Sequence, residues 1–347
     1  MNLRSSLTIV CCLSYVSVTT AKETPPRETG VAMAQAAQQF LASLSPEKRS
    51  KGVISFDDPV RLDWHNIPKP VRKGLQMRDL SAEQRTLVHA LLKTALSGVG
   101  YDKAVKIMAL ENNLHEGEKK IANGPLRDPL RFFLTIFGEP SDRGEWGWSF
   151  EGHHLSLNFV IRDGAVISDT PSFWGTNPAT VRTFVEGGPE VGVRTLADEE
   201  QLAFDLLDSL NAEQRTRVVV ADKAPAEYRA AGQPQPPHTP PIGLKGAELT
   251  REQKKTLRKL LAAYNGHLAD DIATKRMKDI DADGLDDVYF AWMGAQKPNV
   301  GHAYIVQGPS FVLELVNIQS DPAGNPANHI HSVWRSLKGD FGVVGTE

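Results

Sequence analysis

Apolar residues recur at helical spacing in several stretches of the chain, usually just after a polar residue suited to a helix start. After Ser81, for example, Leu87, Leu91 and Ala95 fall on one side of a helix. The phrases LSAEQR, LNAEQR and LTREQK each place a Ser, Asn or Thr three residues before a Gln, the pattern of a capping box. These patterns predict helices over 31–44, 81–97, 101–114, 127–136, 197–209, 211–220, 250–263 and 268–278.

Two distant stretches alternate with period two instead, which is typical of strands. The first, GHHLSLNFVIRDGAVISDTPSFW, turns at Asp163-Gly164, and the second comprises DDVYFAWMG, HAYIVQGPSFVLELVN and NHIHSVWR. We therefore predict an α+β fold, in which an antiparallel sheet built from two distant β segments packs against several helices. Residues 22–347 are expected to form a single α+β domain. A Pro-rich loop at 231–241 is the alternative boundary if the chain divides in two.

The first residues have the pattern of a secretory signal peptide. Arg4 is followed by an apolar run over 7–18, which is too short to span a bilayer, and Thr19-Thr20-Ala21 offers small residues for cleavage. We expect a signal peptide at 1–21, an exported protein (periplasmic or extracellular) and no membrane attachment after cleavage. Both cysteines of the chain lie in this run, so the mature protein has no thiol for disulfides, catalysis or metal ligation.

The charge of the chain is nearly balanced, with 39 basic and 42 acidic residues. No stripe of interleaved basic and aromatic residues is present, so nucleic acid is not an expected partner.

Histidines are concentrated where strands are predicted. His329 and His331 are two apart, so on a strand they share one face, and His154 lies in the first β stretch. Imidazole is the usual ligand where thiols are absent. We predict that His154, His329 and His331 bind a divalent transition metal, with zinc, manganese, iron and copper all compatible.

Three further side chains are candidates for catalysis at the same face. His302 begins a strand, and Glu314 interrupts an apolar strand, where a buried carboxylate needs a cation or a metal. Either of them would complete the metal sphere or act as a base, and Arg335 would orient an anionic group. The alternative is a network of His, Glu and Arg that only orders the sheet.

Aromatic residues near these histidines suggest a substrate surface. We expect Asn158, Trp148, Trp174 and Trp334 to contact a small-molecule or carbohydrate-like ligand. The competing interpretation places the tryptophans in the core.

The segment DIDADGLDD offers a second cation site. Asp279, Asp281 and Asp283 match the first positions of an EF-hand loop and suggest calcium, but Phe290 stands where the loop requires a bidentate Glu. An acidic, solvated turn is the other interpretation.

Several long motifs resemble the bacterial family called domain of unknown function 3500. They include GYDKAVKIMALE, WGWSFEGHHLSLNF, TPSFWGTNPA, GPSFVLELVN and NHIHSVWRSLKGDFG, and they extend over about 36–343. The resemblance implies an exported protein without a settled activity, and its motifs include Gly152, Asn177, Asn328 and the histidines above. DIDADG departs from the family pattern.

Together these features predict an exported metal-dependent enzyme with a His-rich site on the sheet. Hydrolysis is the default reaction for a redox-silent ion, and an oxidoreductase fits a redox-active one. The alternative is a non-catalytic exported ligand-binding protein with an aromatic and His-lined cleft.

Overall fold

The computed structural model describes residues 26–343. The predicted signal peptide therefore lies outside the described residues. Within them the helices are α1 (Arg27–Ala42), α2 (Pro46–Gly52), α3 (Ala82–Ala95), α4 (Gly98–Glu118), α5 (Ala197–Asp208), α6 (Ala212–Val218), α7 (Arg251–Asn265) and α8 (Asp270–Asp283). The strands are β1 (Val53–Ile54), β2 (Leu75–Gln76), β3 (Phe133–Gly138), β4 (Glu145–Gly152), β5 (Leu155–Arg162), β6 (Ala165–Ser168), β7 (Ser172–Thr176), β8 (Val219–Ala221), β9 (Leu244–Lys245), β10 (Tyr289–Gly294), β11 (His302–Gln307), β12 (Phe311–Asn317) and β13 (Ile330–Ser336).

The three predicted capping boxes are confirmed. Ser81, Asn211 and Thr250 each accept the backbone N–H of a Gln three residues later, and that Gln side chain accepts the cap N–H in return. Each box satisfies two amide groups that a helix start leaves without partners, so α3, α6 and α7 begin where the sequence indicates.

The helix predicted over 127–136 is wrong. Residues 133–138 form β3, which pairs antiparallel with β4, for example Ile136 with Trp148. Nearly every residue of β3 is buried. A strand covered on both faces shows no alternation, so its short apolar run was indistinguishable from a helical segment.

The strands form one sheet in the order β1-β3-β4-β5-β7-β13-β12-β11-β10-β8, and the short strands β2, β6 and β9 pair beside it. All pairs are antiparallel except β1 with β3 and β10 with β8. The two distant β segments meet where β7 pairs with β13, so the predicted α+β class and its two-segment sheet are confirmed.

The two faces of the sheet have different covers. On one face, sheet residues such as Leu313 and Trp334 join a large core with the helices. On the other face, Phe173 and Val333 pack with Trp64, Tyr228 and residues from irregular segments. The Pro-rich loop runs over this second face, where the carbonyl oxygen of Gln233 accepts hydrogen bonds from the side chains of Trp64 and Arg335.

No helix within residues 26–343 is both long enough and apolar enough to cross a membrane.

Candidate metal centre

His154 occupies the turn between two paired strands. Gly152 of β4 pairs directly with Leu155 of β5, so His153 and His154 are the two turn residues. His154 has a φ of +64°, a left-handed conformation that is unfavourable for a residue with a side chain. Its N–H donates to the carbonyl of Asn66 and its carbonyl accepts from the N–H of Gly175, which holds the strained residue in place.

The other two histidines come from the start of β13, beside β7. His331 pairs with Gly175, and His329 immediately precedes the strand. Gly175 makes room for the imidazole of His154, since a Cβ at this position would lie 3.0 Å from His154 Cδ2. The turn histidine thus reaches over β7 to the histidines of β13.

The Nε2 atoms of the three imidazoles point to one place. The Nε2 of His329 lies 2.8 Å from that of His154 and 3.0 Å from that of His331, and the third separation is 3.3 Å. Tetrahedral zinc with Zn–N bonds of about 2.0–2.1 Å requires nitrogens about 3.3 Å apart. The triangle is therefore close to the size that one metal ion needs.

Hydrogen bonding alone cannot satisfy this triangle. A neutral imidazole Nε2 carries either one proton or one lone pair, so three such atoms in mutual contact leave lone pairs or protons facing each other. A cation at their common focus removes that repulsion. The residues present therefore fit a metal ion, and these three histidines form the group that can hold one.

Groups behind two of the imidazoles orient the Nε2 lone pairs. Glu227 Oε2 lies 2.6 Å from Nδ1 of His331, so it accepts the Nδ1–H and selects the tautomer whose lone pair is on Nε2. The side-chain amide of Asn177 lies 3.3 Å from Nδ1 of His329. Asn177 Oδ1 is buried without a hydrogen bond, and a half-turn of the amide brings it to that Nδ1–H.

Burial keeps two of the three imidazoles, those of His154 and His329, neutral. It lowers the pKa of His154 well below its usual value, and the neighbouring His153 adds to the shift. It also lowers the pKa of His329 to about 3, with His331 adding to the effect. At neutral pH both side chains therefore offer the lone pairs that metal ligation requires.

A further layer of ionisable groups backs the turn. The rings of His153 and His154 lie with centroids 3.6 Å apart. His153 Nδ1 is 2.6 Å from Glu111 Oε1 and 2.9 Å from Arg127 Nη1. Burial raises the pKa of Glu111 to about 7, against the opposing charge of Arg127. His153 thus belongs to an ion-pair cluster behind the triangle, not to the triangle itself.

His302, Glu314 and Arg335 are not brought to the three histidines. His302 of β11 pairs with Asn317 of β12, and Asn317 pairs with Ile330 of β13, which belongs to the helix-side core. His302 therefore lies on the helix side of the sheet, and the expectation that it shares a face with the three histidines is wrong. The Nδ1–H of His302 donates to the carbonyl of Val300. Glu200 lies 3.2 Å from its Nε2.

Glu314 and Arg335 lie on the same face as His331 but have other partners. Glu314 accepts from the backbone N–H and the Nε of Arg229, the latter at 2.9 Å. Arg335 forms an ion pair with Asp340 and donates to the carbonyl of Gln233. Both side chains hold the irregular segments onto the sheet, and their predicted catalytic roles remain predictions.

The tryptophans predicted to contact substrate lie away from the three histidines. Trp148, Trp174 and Trp334 all pack in the helix-side core, on the face opposite the metal centre. Asn158 is on the same side of β5 as Ser156, buried, and its amide donates to the carbonyl of Pro171. No surface combines these tryptophans with the three histidines among the described residues.

The expected EF-hand loop is a helix instead. Asp279, Asp281 and Asp283 lie in α8, which ends at Asp283, the fifth position of the predicted loop. Their carboxylates have separate partners: Asp279 binds Lys275, Asp281 binds Arg258, and Asp283 accepts from Ser310. Three carboxylates spread along a helix and paired with other groups do not form the calcium loop, so the predicted loop is wrong. The exposed acidic turn is confined to residues 284–287.

Sequence patterns missed the outer residues of the centre. Glu227 and Asn66 lie in irregular segments, where no periodicity marks a direction for the side chain. Asn177 belonged to a family motif, TPSFWGTNPA, without an assigned role.

Comparisons with known proteins agree with these motifs. No curated protein and no solved structure gives a significant match to the chain. A family model described as "Protein of unknown function (DUF3500)" matches residues 27–343, nearly the whole chain. The chain belongs to this family of proteins of unknown function, DUF3500.

Proposed function

We propose that the protein is a metal-dependent enzyme whose metal is held by His154, His329 and His331, and that it is a hydrolase. The convergence of three imidazole Nε2 atoms within 3.3 Å of one another carries this proposal. The unprotonated state of two of the imidazoles and the Glu227 hydrogen bond support it.

The ligand set favours zinc. Three histidines with one open position are the ligands of a well-known class of catalytic zinc sites, whereas non-haem iron usually takes two histidines and a carboxylate. A zinc ion bound here would act as a Lewis acid and lower the pKa of a water molecule.

Residues around the centre orient the histidine ligands and determine the side from which substrate reaches the metal. Glu227 fixes the tautomer of His331, and its side chain is 30 % exposed, while His329 is half-buried. His154, by contrast, is 2 % exposed and closes the inner side. Substrate therefore approaches from the side of His329, while Glu227 holds the Nδ1 proton of His331 behind the ligand.

The test is elemental analysis of the purified mature protein, next to a His329→Ala/His331→Ala double variant. We expect close to one transition-metal ion per chain in the first and none in the second. His238→Ala, in the exposed part of the Pro-rich loop, is the matched control and should keep the metal. Absence of metal from the wild type, even after reloading with zinc and dialysis, would overturn the metal centre.

The reaction class has a separate test. Zinc-loaded protein should hydrolyse members of a panel of chromogenic esters, phosphoesters and amides, and the double variant should not. A protein that binds stoichiometric metal but hydrolyses no substrate class would leave the centre intact and contradict the hydrolase.

We also infer that the protein works outside the cytoplasm. The n-region, apolar run and small residues ending at Ala21 support this. Expression of the full chain should give an extracytoplasmic product whose N-terminus, measured by mass spectrometry, is Lys22. An intact, cytoplasmic N-terminus would contradict export.

A further inference from the structure

A cavity lies on the helix side of the sheet, away from the three histidines. It has a volume of about 410 Å³ and lies between β6, α8 and the adjoining ends of β12 and β13. This volume falls in the range of about 300–1,000 Å³ that is typical of small-molecule sites. Trp334, which lines it, is three residues from His331 on β13 but points to the opposite face, so the two sites are separate.

Part of the cavity wall is apolar. The rings of Phe311 and Trp334 stack with centroids 4.7 Å apart, and both residues line the cavity. Ile272 and Ile280 of α8 and Val166 of β6 add aliphatic surface. This surface suits the hydrocarbon part of a ligand.

The polar part of the wall is basic. Two carboxylates line the cavity, and each is already neutralised: Asp169 lies 2.6 Å from Arg276, and Asp279 lies 2.8 Å from Lys275. Lys338 also lines it, is exposed, and has no ion-pair partner among residues 26–343. An incoming anion would therefore meet an uncompensated ammonium group without displacing an internal carboxylate.

Trp334 adds a second hydrogen-bond donor to the residues that line the cavity. The indole N–H of Trp334, a residue of the cavity lining, makes no hydrogen bond to any residue in the described part of the chain. The guanidinium of Arg276 stacks on the same indole, with its Cζ 4.9 Å from the ring centroid, and fixes its position. A few polar donors in an otherwise apolar wall are the usual features of a site for an organic anion.

We propose that this cavity binds a small organic carboxylate with an apolar body. The carboxylate lies against Lys338 and the indole N–H of Trp334, and the apolar body lies against Phe311 and the isoleucines of α8. This site is independent of the metal centre, so disproof of one proposal leaves the other unaffected.

The experiment measures binding of benzoate by ligand-observed NMR and calorimetry, with benzyl alcohol as the neutral analogue. Phenylacetate and hexanoate extend the probe set. For the full mature chain we expect a benzoate dissociation constant of about 1 mM or lower, as the ligand efficiency of so small a fragment allows. Benzyl alcohol should bind at least about 3-fold more weakly, since it lacks the charge that Lys338 recognises.

Two variants locate the site. Ser168→Trp fills the cavity from its β6 wall and should abolish binding. Lys338→Glu changes an exposed side chain, should leave folding intact and should weaken benzoate binding about 5-fold or more. Lys297→Glu reverses the charge of an exposed lysine outside the cavity and is the matched control.

Three results would overturn the proposal: binding of none of the three carboxylates, equal affinity for benzoate and benzyl alcohol, or unchanged affinity in the Lys338→Glu variant. Circular dichroism of the Ser168→Trp variant distinguishes a filled cavity from a misfolded chain. If that variant misfolds, the affinity of the Lys338→Glu variant for benzoate decides whether the ligand binds in this cavity.

Discussion

The Nε2 atoms of His154 and His329 lie 2.8 Å apart although 175 residues separate them in the chain. One belongs to the tight turn after β4 and the other to the approach to β13, and the pairing of β7 with β13 brings them together. The metal centre is therefore built where the two β segments of the sheet join. Its geometry depends on that junction, so substitutions of the supporting residues should change the metal affinity.

Glu227→Gln should weaken metal binding without removing a ligand. Glu227 accepts the Nδ1–H of His331 at 2.6 Å, and a neutral amide holds the imidazole less firmly and makes its Nε2 less basic. We expect the zinc dissociation constant to rise about 10- to 100-fold, measured by competition with a chelating dye.

Glu213→Gln tests the same chemical change at an exposed position in α6 and should leave zinc affinity unchanged. Equal affinity of the Glu227→Gln variant and the wild type would show that Glu227 does not support the metal.

Gly175→Ala should disturb both the fold and the metal. The new Cβ would lie 3.0 Å from Cδ2 of His154 and 3.1 Å from the carbonyl oxygen of Ile330, closer than ordinary contacts allow. Because the carbonyl is backbone, the imidazole must move. We expect a loss of about 1–3 kcal/mol in the free energy of unfolding, measured with urea, together with weaker zinc binding.

The control is Gly98→Ala at the start of α4, where an added Cβ meets no atom within 4 Å. It should leave zinc binding intact and not reduce stability, since Ala favours a helix. Intact zinc affinity in the Gly175→Ala variant would mean that the His154 ring tolerates displacement.

The strained conformation of His154 gives a prediction about stability alone. Replacement by Gly or by Ala removes the imidazole and should abolish metal binding equally. The φ of +64° costs an alanine roughly 1–2 kcal/mol but costs a glycine almost nothing. In the absence of metal, His154→Gly should therefore be about 1 kcal/mol more stable than His154→Ala by urea unfolding. Equal stability, or a more stable Ala variant, would show that the turn relaxes once the imidazole is gone.

Local patterns predicted the helix starts well and the strand faces only in part. Ser81, Asn211 and Thr250 act within their own helices, so the sequence alone identifies them. The face of a strand depends on register with a distant partner, and a shift of one residue reverses it. His302 was therefore assigned to the wrong face. His329 and His331 are only two residues apart, so their grouping did not depend on the register with another strand.

The sequence predicted the three histidines of the metal centre but not how they are positioned. His154 was expected within a strand, yet it forms a turn that lacks the usual Gly or Asn, because tertiary contacts from Asn66 and Gly175 hold it there. Glu227 comes from an irregular segment whose direction no periodicity encodes. Both depend on long-range packing, which a local pattern does not contain.

Acid stability should depend on a buried ion pair on the helix side, far from the metal. Burial by itself raises the pKa of Glu199, but hydrogen bonds and charge from His267 and Lys103 outweigh it and lower the value to about 2, from an ordinary 4.5. A carboxyl with a lowered pKa stabilises the folded state fully above pH 4.5, and this contribution is lost as the pH falls toward 2. The difference corresponds to about 3 kcal/mol.

Glu199→Gln should therefore flatten the dependence of the unfolding free energy on pH between about 4.5 and 2, measured with urea, whereas the exposed control Glu213→Gln should follow the wild-type curve. Parallel curves for Glu199→Gln and wild type would show that Glu199 is not held as an anion in the fold.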